Sequence, residues 1–244
     1  MKLLRRHKYI LIGLGIYWPA IFVLTHIPVP PGVATLGMSD KTMHVLAYLV
    51  LVVFVWLSIS PYEKVSWKKL KVWIVLAAMV GYGIIDEFLQ ARIGRSPDKM
   101  DLLADITGVL LGLAILTAMS FWPAMVAVSA IFIFVVSNLS NILGVYSPRH
   151  LDTVFAFTAY GAFTLIWIQH LSRLSPPGAG RPWWGLWAIS VPLGLLDAVS
   201  GCGVLMGKAF FIIDASAAVF GISAAALLSY ATLRFGGGRR TKVV

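Results

Sequence analysis

Six carboxylates and a few basic or amide side chains crowd three short stretches of this chain. Asp40, Asp86, Glu87, Asp98, Asp101 and Asp105 are interleaved with Lys41, His44, Gln90, Arg92, Arg95 and Lys99. Carboxylates beside a histidine can pass protons, and an arginine among them can grip a phosphate or carboxylate with its planar fork. The candidate catalytic set is therefore Asp40, His44, Asp86, Glu87 and Asp105, and the candidate substrate contacts are Lys41, Tyr48, Gln90, Arg92, Arg95 and Asp101. His44 is open to three roles, general base, metal ligand or proton relay, beside a structural one bonded to Asp40 a turn earlier. Asp86 and Glu87 could share a proton, although adjacent helical residues point about 100° apart, so only one of them need face the site. His26, near the outer end of the first span, is open to bordering the site, with a lone interfacial histidine the preferred reading.

No cofactor is expected. Asp40, His44, Asp86, Glu87 and Asp101 offer oxygen and imidazole donors suited to a divalent cation, whereas no His-x-x-x-His pair or cysteine set points to zinc. The single cysteine, Cys202, cannot form an internal disulfide. A Walker loop and a Gly-x-Ser-x-Gly elbow are both missing from the sequence.

The elements that must position these side chains follow from composition. Hydrophobic residues make up 59% of the 244-residue chain and charged residues 12%, with a mean hydropathy of +0.86, against about 25% charged residues in a soluble domain. The chain reads as all-α, a polytopic membrane helix bundle. Apolar runs near 9–25, 42–60, 70–90, 102–122, 123–144, 152–172, 183–203 and 209–230 each approach the roughly 20 residues that a spanning helix needs, giving about eight transmembrane helices. The first run is too long for the apolar core of a signal peptide and is read as an uncleaved span.

Basic residues orient the bundle. Lys2, Arg5, Arg6 and Lys8 precede the first span, Lys64, Lys68, Lys69 and Lys71 join the second to the third, Arg173 and Arg181 join the sixth to the seventh, and Arg234, Arg239, Arg240 and Lys242 follow the eighth. Both termini are expected in the cytoplasm. Of the ten acidic residues, only Glu63 shares that side. The net charge of +10 thus serves topology, and nucleic-acid binding is not expected.

The chain also repeats itself. Phe22-Val-Leu-Thr-His matches Phe134-Val-Val-Ser-Asn, and the same offset of 112 carries Asp40 onto Asp152 and Ala47-Tyr48 onto Ala159-Tyr160. Identities further along suggest an offset of 111 for Asp86 with Asp197, and of 109 for Asp105 with Asp214. The expectation is two parallel four-helix repeats, residues 1–122 carrying the site and residues 123–244 a degenerate copy in which Ala156 replaces His44.

Within the first repeat, Asp40-Lys-Thr-Met-His-Val-Leu-Ala-Tyr48, Asp86-Glu-Phe-Leu-Gln90, Gly94-Arg95-Ser96 and Asp101-Leu-Leu-Ala-Asp105 with Gly108 form an ordered set that resembles the VanZ-like family of bacterial membrane proteins, named for teicoplanin resistance. The resemblance covers about residues 10–120. It implies a multi-pass protein of the bacterial cytoplasmic (inner) membrane with a role in envelope or glycopeptide response.

The functional expectation is an outward-facing polar pocket that binds or modifies an anionic headgroup of an envelope lipid or a lipid-linked cell-wall precursor, with the bilayer itself as partner. A proton-coupled transporter or flippase is the alternative, and a non-catalytic membrane interaction protein is a second.

Overall fold

The structure, a computed structural model, describes residues 2–26, 37–92, 98–142, 149–175, 182–207 and 209–235. Among these there are eight helices and no strand: α1 (Lys2–His26), α2 (Gly37–Ile59), α3 (Leu70–Arg92), α4 (Lys99–Ala118), α5 (Phe121–Ile142), α6 (Arg149–Leu174), α7 (Pro182–Leu205) and α8 (Ile212–Phe235). Helices α2 to α8 contain stretches long and apolar enough to cross a membrane, and α1 carries a shorter apolar stretch, Ile10–Val23. Large apolar side chains such as Ile16, Trp73, Phe88, Leu186 and Phe220 are exposed, as a lipid-facing surface requires.

The chain divides into two compact units, Met1–Ala124 and Met125–Val244. In the first, α2 is the central helix. Leu46, Tyr48, Leu49, Leu51, Val52, Val53, Trp56 and Leu57 are all buried, and α2 packs against α1, α3 and α4. The approach to α4 is set by glycine. A Cβ on Gly108 would collide with the Val45 carbonyl and lie 3.0 Å from Leu49 N, and one on Gly112 would lie 2.9 Å from Leu49 O. Small residues thus bring two backbones together where packing, and not water exclusion, must hold membrane helices.

At the basic end of this unit the loop from Ser60 to Lys69 ties off the helices. Lys64 Nζ donates to Ala118 O and Val65 N to Leu116 O, satisfying carbonyls that the end of α4 leaves open. Trp56 Nε1 donates to Glu63 O, and Lys69 and Lys71 both bond the Glu63 carboxylate. At the other end Asp98 caps α4, accepting from Met100 N at 2.8 Å. Met119 and Ser120 separate α4 from α5, and Pro123 falls in the first turn of α5, where its missing N–H costs nothing.

The second unit repeats this packing in a definite register. Gly221 faces the Phe157 carbonyl and Gly161 N as Gly108 faces Val45 and Leu49, and Thr153 bonds Asp214 as Lys41 bonds Asp101. These contacts set an offset of 112 between α2 and α6 and of 113 between α4 and α8. The buried positions of α7, Ala188, Pro192, Val199 and Gly203, follow Val75, Met79, Asp86 and Gln90 of α3 at 113. The Nδ1 of His26 bonds Phe22 O at 2.8 Å, and the Asn138 amide bonds Phe134 O at 2.9 Å, again 112 apart. The offsets of 109 and 111 expected from identities are corrected accordingly. Asp214 corresponds to Asp101, Ala218 to Asp105 and Val199 to Asp86, while Asp197 is exposed. Glycines and aspartates recur too often in these helices for their identities alone to fix a register.

Candidate functional site

The polar side chains of the first unit come together near the end of the bundle remote from the Ser60–Lys69 loop. Helical periodicity places them: Lys41, His44 and Tyr48 follow one another down α2, Tyr82, Asp86 and Gln90 lie one turn apart on α3, and Asp101 and Asp105 do so on α4. His44, Tyr48, Asp86, Glu87, Gln90, Asp101 and Asp105 are all buried.

His44 Nδ1 lies 2.9 Å from Asp105 Oδ1, and its Nε2 is 4.0 Å from Asp101 Oδ2. The Gln90 amide donates to Asp86 Oδ2 at 2.8 Å. Lys41 Nζ bridges Asp98 at 2.7 Å and Asp101 at 3.0 Å, and Asp98 N donates to Glu87 Oε2 at 3.1 Å. Gly83 allows the approach of α3 to α4, since a Cβ there would lie 3.1 Å from Asp105 Oδ2. The Lys41 ammonium, helped by the Met100 N–H, holds the Asp98 carboxyl below the usual range.

Of the expected site residues whose side chains are described, Arg92 alone stays out of the cluster. Arg92 is exposed and stacks its guanidinium over Phe88 at 4.9 Å, because it lies two residues past Gln90 and so points to another side of α3. Arg95 and the Asp40 side chain lie outside the described residues. Asp86 and Glu87 are both buried, where one facing residue had sufficed. Glu87 meets the start of α4 while Asp86 turns toward α1 and Gln90.

Two aromatic residues and a histidine join the cluster that sequence reasoning did not assign to it. Tyr82 stacks at 5.8 Å on Tyr48 and edge-on at 5.2 Å against Trp18, and His26 Nδ1 is 3.9 Å from Asp86 Oδ1. The signal for Tyr82 was present, one turn before Asp86. The Tyr48 and Tyr82 hydroxyls are within electrostatic reach of Asp105 and Asp86 but make no hydrogen bond of standard geometry. Beyond Tyr82, an apolar groove of about 550 Å³ runs along α1, lined by Leu11, Leu14, Trp18, Pro19 and Phe22.

Fold and site together define a polytopic helical membrane protein with a buried ionisable cluster in its first unit. No family model, curated protein or solved structure matches the chain. The likeness to the VanZ-like family thus rests on the motif residues themselves.

Proposed function

We propose that this is a bacterial inner-membrane protein, both termini cytoplasmic, whose first unit binds or modifies the headgroup of an anionic envelope lipid or lipid-linked cell-wall precursor. The observation that carries this reading is the burial of Asp86, Glu87, Asp101 and Asp105 around His44 within helices of membrane-spanning length. Ionisable groups at such depth are costly and are kept for binding or proton chemistry. Asp105 is six residues inside α4, about 9 Å from its start at 1.5 Å per residue, a depth that suits a headgroup entering from one face. The groove along α1 adjoins Tyr82 and would take an acyl chain alongside.

The role of each residue follows from its contacts. Lys41, held by Asp98 and Asp101, is the lysine seated in the cluster and the one to meet a phosphate. His44 and Asp105 form the pair able to move a proton, and Gln90 orients Asp86. The motif resemblance adds an effect on glycopeptide susceptibility. Lipid profiles and teicoplanin susceptibility of a deletion strain, complemented with wild type or with Asp86→Asn, test the proposal. Restoration by wild type alone is expected, and indifference of both readouts to the gene contradicts it.

A further inference from the structure

The carboxylates in the cluster outnumber the cations that face them. Among the described residues, Glu87, Asp98, Asp101 and Asp105 face Lys41 and whatever charge His44 carries, while Asp86 faces His26. Lys41 is already engaged by Asp98 and Asp101. One donor atom each from His44, Glu87 and Asp105 falls within 4.8 Å of the others. All three residues are at least nine-tenths buried, at 4%, 8% and 1% exposure. Glu87 Oε1 and Asp105 Oδ2 are, in addition, fully buried without a hydrogen-bond partner of standard geometry among the described residues.

We propose that His44, Glu87 and Asp105 bind a first-row divalent transition-metal ion. One imidazole with two carboxylates is a donor set for ions such as Mn²⁺ or Zn²⁺, and too nitrogen-rich for a dedicated Ca²⁺ site. Donors bound at about 2.1 Å to one ion lie about 3.4 Å apart in a tetrahedral site and at most about 4.2 Å apart, so side-chain rotation of about an ångström closes the triad around it. The ion gives the buried Glu87 and Asp105 oxygens a partner that no described side chain supplies with standard geometry. Neighbouring hydroxyls of Tyr48 and Tyr82 can donate hydrogen bonds but cannot neutralise charge. The inference stands on these side chains and not on the headgroup reading, although a bound cation would let a carboxylate-rich site accept an anion.

The second unit supplies the contrast. At the corresponding positions Ala156 and Ala218 pack in an apolar cluster with Tyr160 and Val199. The imidazole of His44 and the carboxylate of Asp105 are lost together, as expected of residues that share one task.

The test uses the tag-free full-length protein in detergent, stripped with a chelator and titrated with Mn²⁺ and with Co²⁺, and read by metal analysis and electron paramagnetic resonance. Wild type is expected to take up one equivalent with an imidazole nitrogen in the Mn²⁺ hyperfine pattern. Glu87→Gln and Asp105→Asn should each weaken binding at least about tenfold, and Asp197→Asn should leave it unchanged. Should a single variant misfold, the His44→Ala/Asp105→Ala pair reproduces packing that the second unit already tolerates, and it should bind no ion. Absence of uptake by wild type, or uptake that survives in the double variant, overturns the proposal. Neither outcome touches the lipid readouts.

Discussion

At the scale of single residues, His44 and Asp105 are the pair on which the cluster turns. Each is buried, and each supplies the other's hydrogen bond at 2.9 Å. Removing one partner leaves the other polar group stranded, which costs about 1–3 kcal/mol, whereas removing both need not. The second unit has made the double replacement with Ala156 and Ala218. Asp105→Ala and His44→Ala are therefore expected to destabilise singly, with the double variant less destabilised than the sum by about 1 kcal/mol or more. Reversible unfolding in mixed micelles measures this, and strict additivity would show that the pair is not coupled. A contrast between two aspartates belongs at the same scale. Asp86 is 1% exposed, while Asp197 lies on the surface. Asp86→Asn should abolish the phenotype of the gene and Asp197→Asn should leave it intact, as scored by complementation.

Among the helices, legibility followed periodicity. Apolar runs of spanning length located α2 to α8 to within about five residues, because chain length in a bilayer is fixed by bilayer thickness, while α1 starts at Lys2, well before its apolar run. The i, i+4 spacing also grouped His44 with Tyr48 and Asp86 with Gln90. The same spacing turns Arg92, two residues past Gln90, to another side of α3 over Phe88, but it did not show that α1 would bring His26 toward Asp86, since that depends on the rotation of one helix against another. The repeat register was illegible for a related reason. Glycine identities are weak markers, and only the contacts of Gly108 with Val45 and of Gly221 with Phe157 reveal which glycines are equivalent. Gly108→Ala and Gly221→Ala should each cost about 1–3 kcal/mol by forcing backbones apart. Gly201, with open space around it, should accept alanine within about 0.5 kcal/mol. Unfolding of the three variants checks this ordering.

The Ser60–Lys69 loop predicts a pH effect on its own element. Lys71 and Lys69 hold the exposed Glu63 carboxyl down at about 2, against about 4.3 in an unfolded chain. A depressed carboxyl stabilises the fold above its unfolded value and loses that contribution as pH falls toward its folded value. The effect is small, being exposed and screened by salt. Stability curves of wild type and Glu63→Gln should therefore separate above about pH 4 and converge toward pH 2, and a gap independent of pH would contradict the ion pairs.

For the whole molecule, charge asymmetry is the organising feature. Lys64, Lys68, Lys69 and Lys71 gather where α2 ends and α3 begins, and Asp98, Asp101 and Asp105 gather at the opposite end of α4. The proposed topology, with the basic loop in the cytoplasm, would put the cluster toward the outer face. Reporter fusions after Lys71, after Arg181 and at the carboxyl terminus should report cytoplasm, and those after Lys99 and Arg149 the opposite side. An external carboxyl terminus would contradict this topology.

The central claim, that the buried cluster of the first unit holds an envelope headgroup, is tested most directly by the lipids the protein keeps through purification. Native mass spectrometry of wild type, Asp86→Asn, Asp105→Asn and Asp197→Asn, each extracted from the same membranes, compares them side by side. The account predicts one anionic lipid class retained by wild type and Asp197→Asn and lost from Asp86→Asn and Asp105→Asn. An identical set of retained lipids in all four would contradict it.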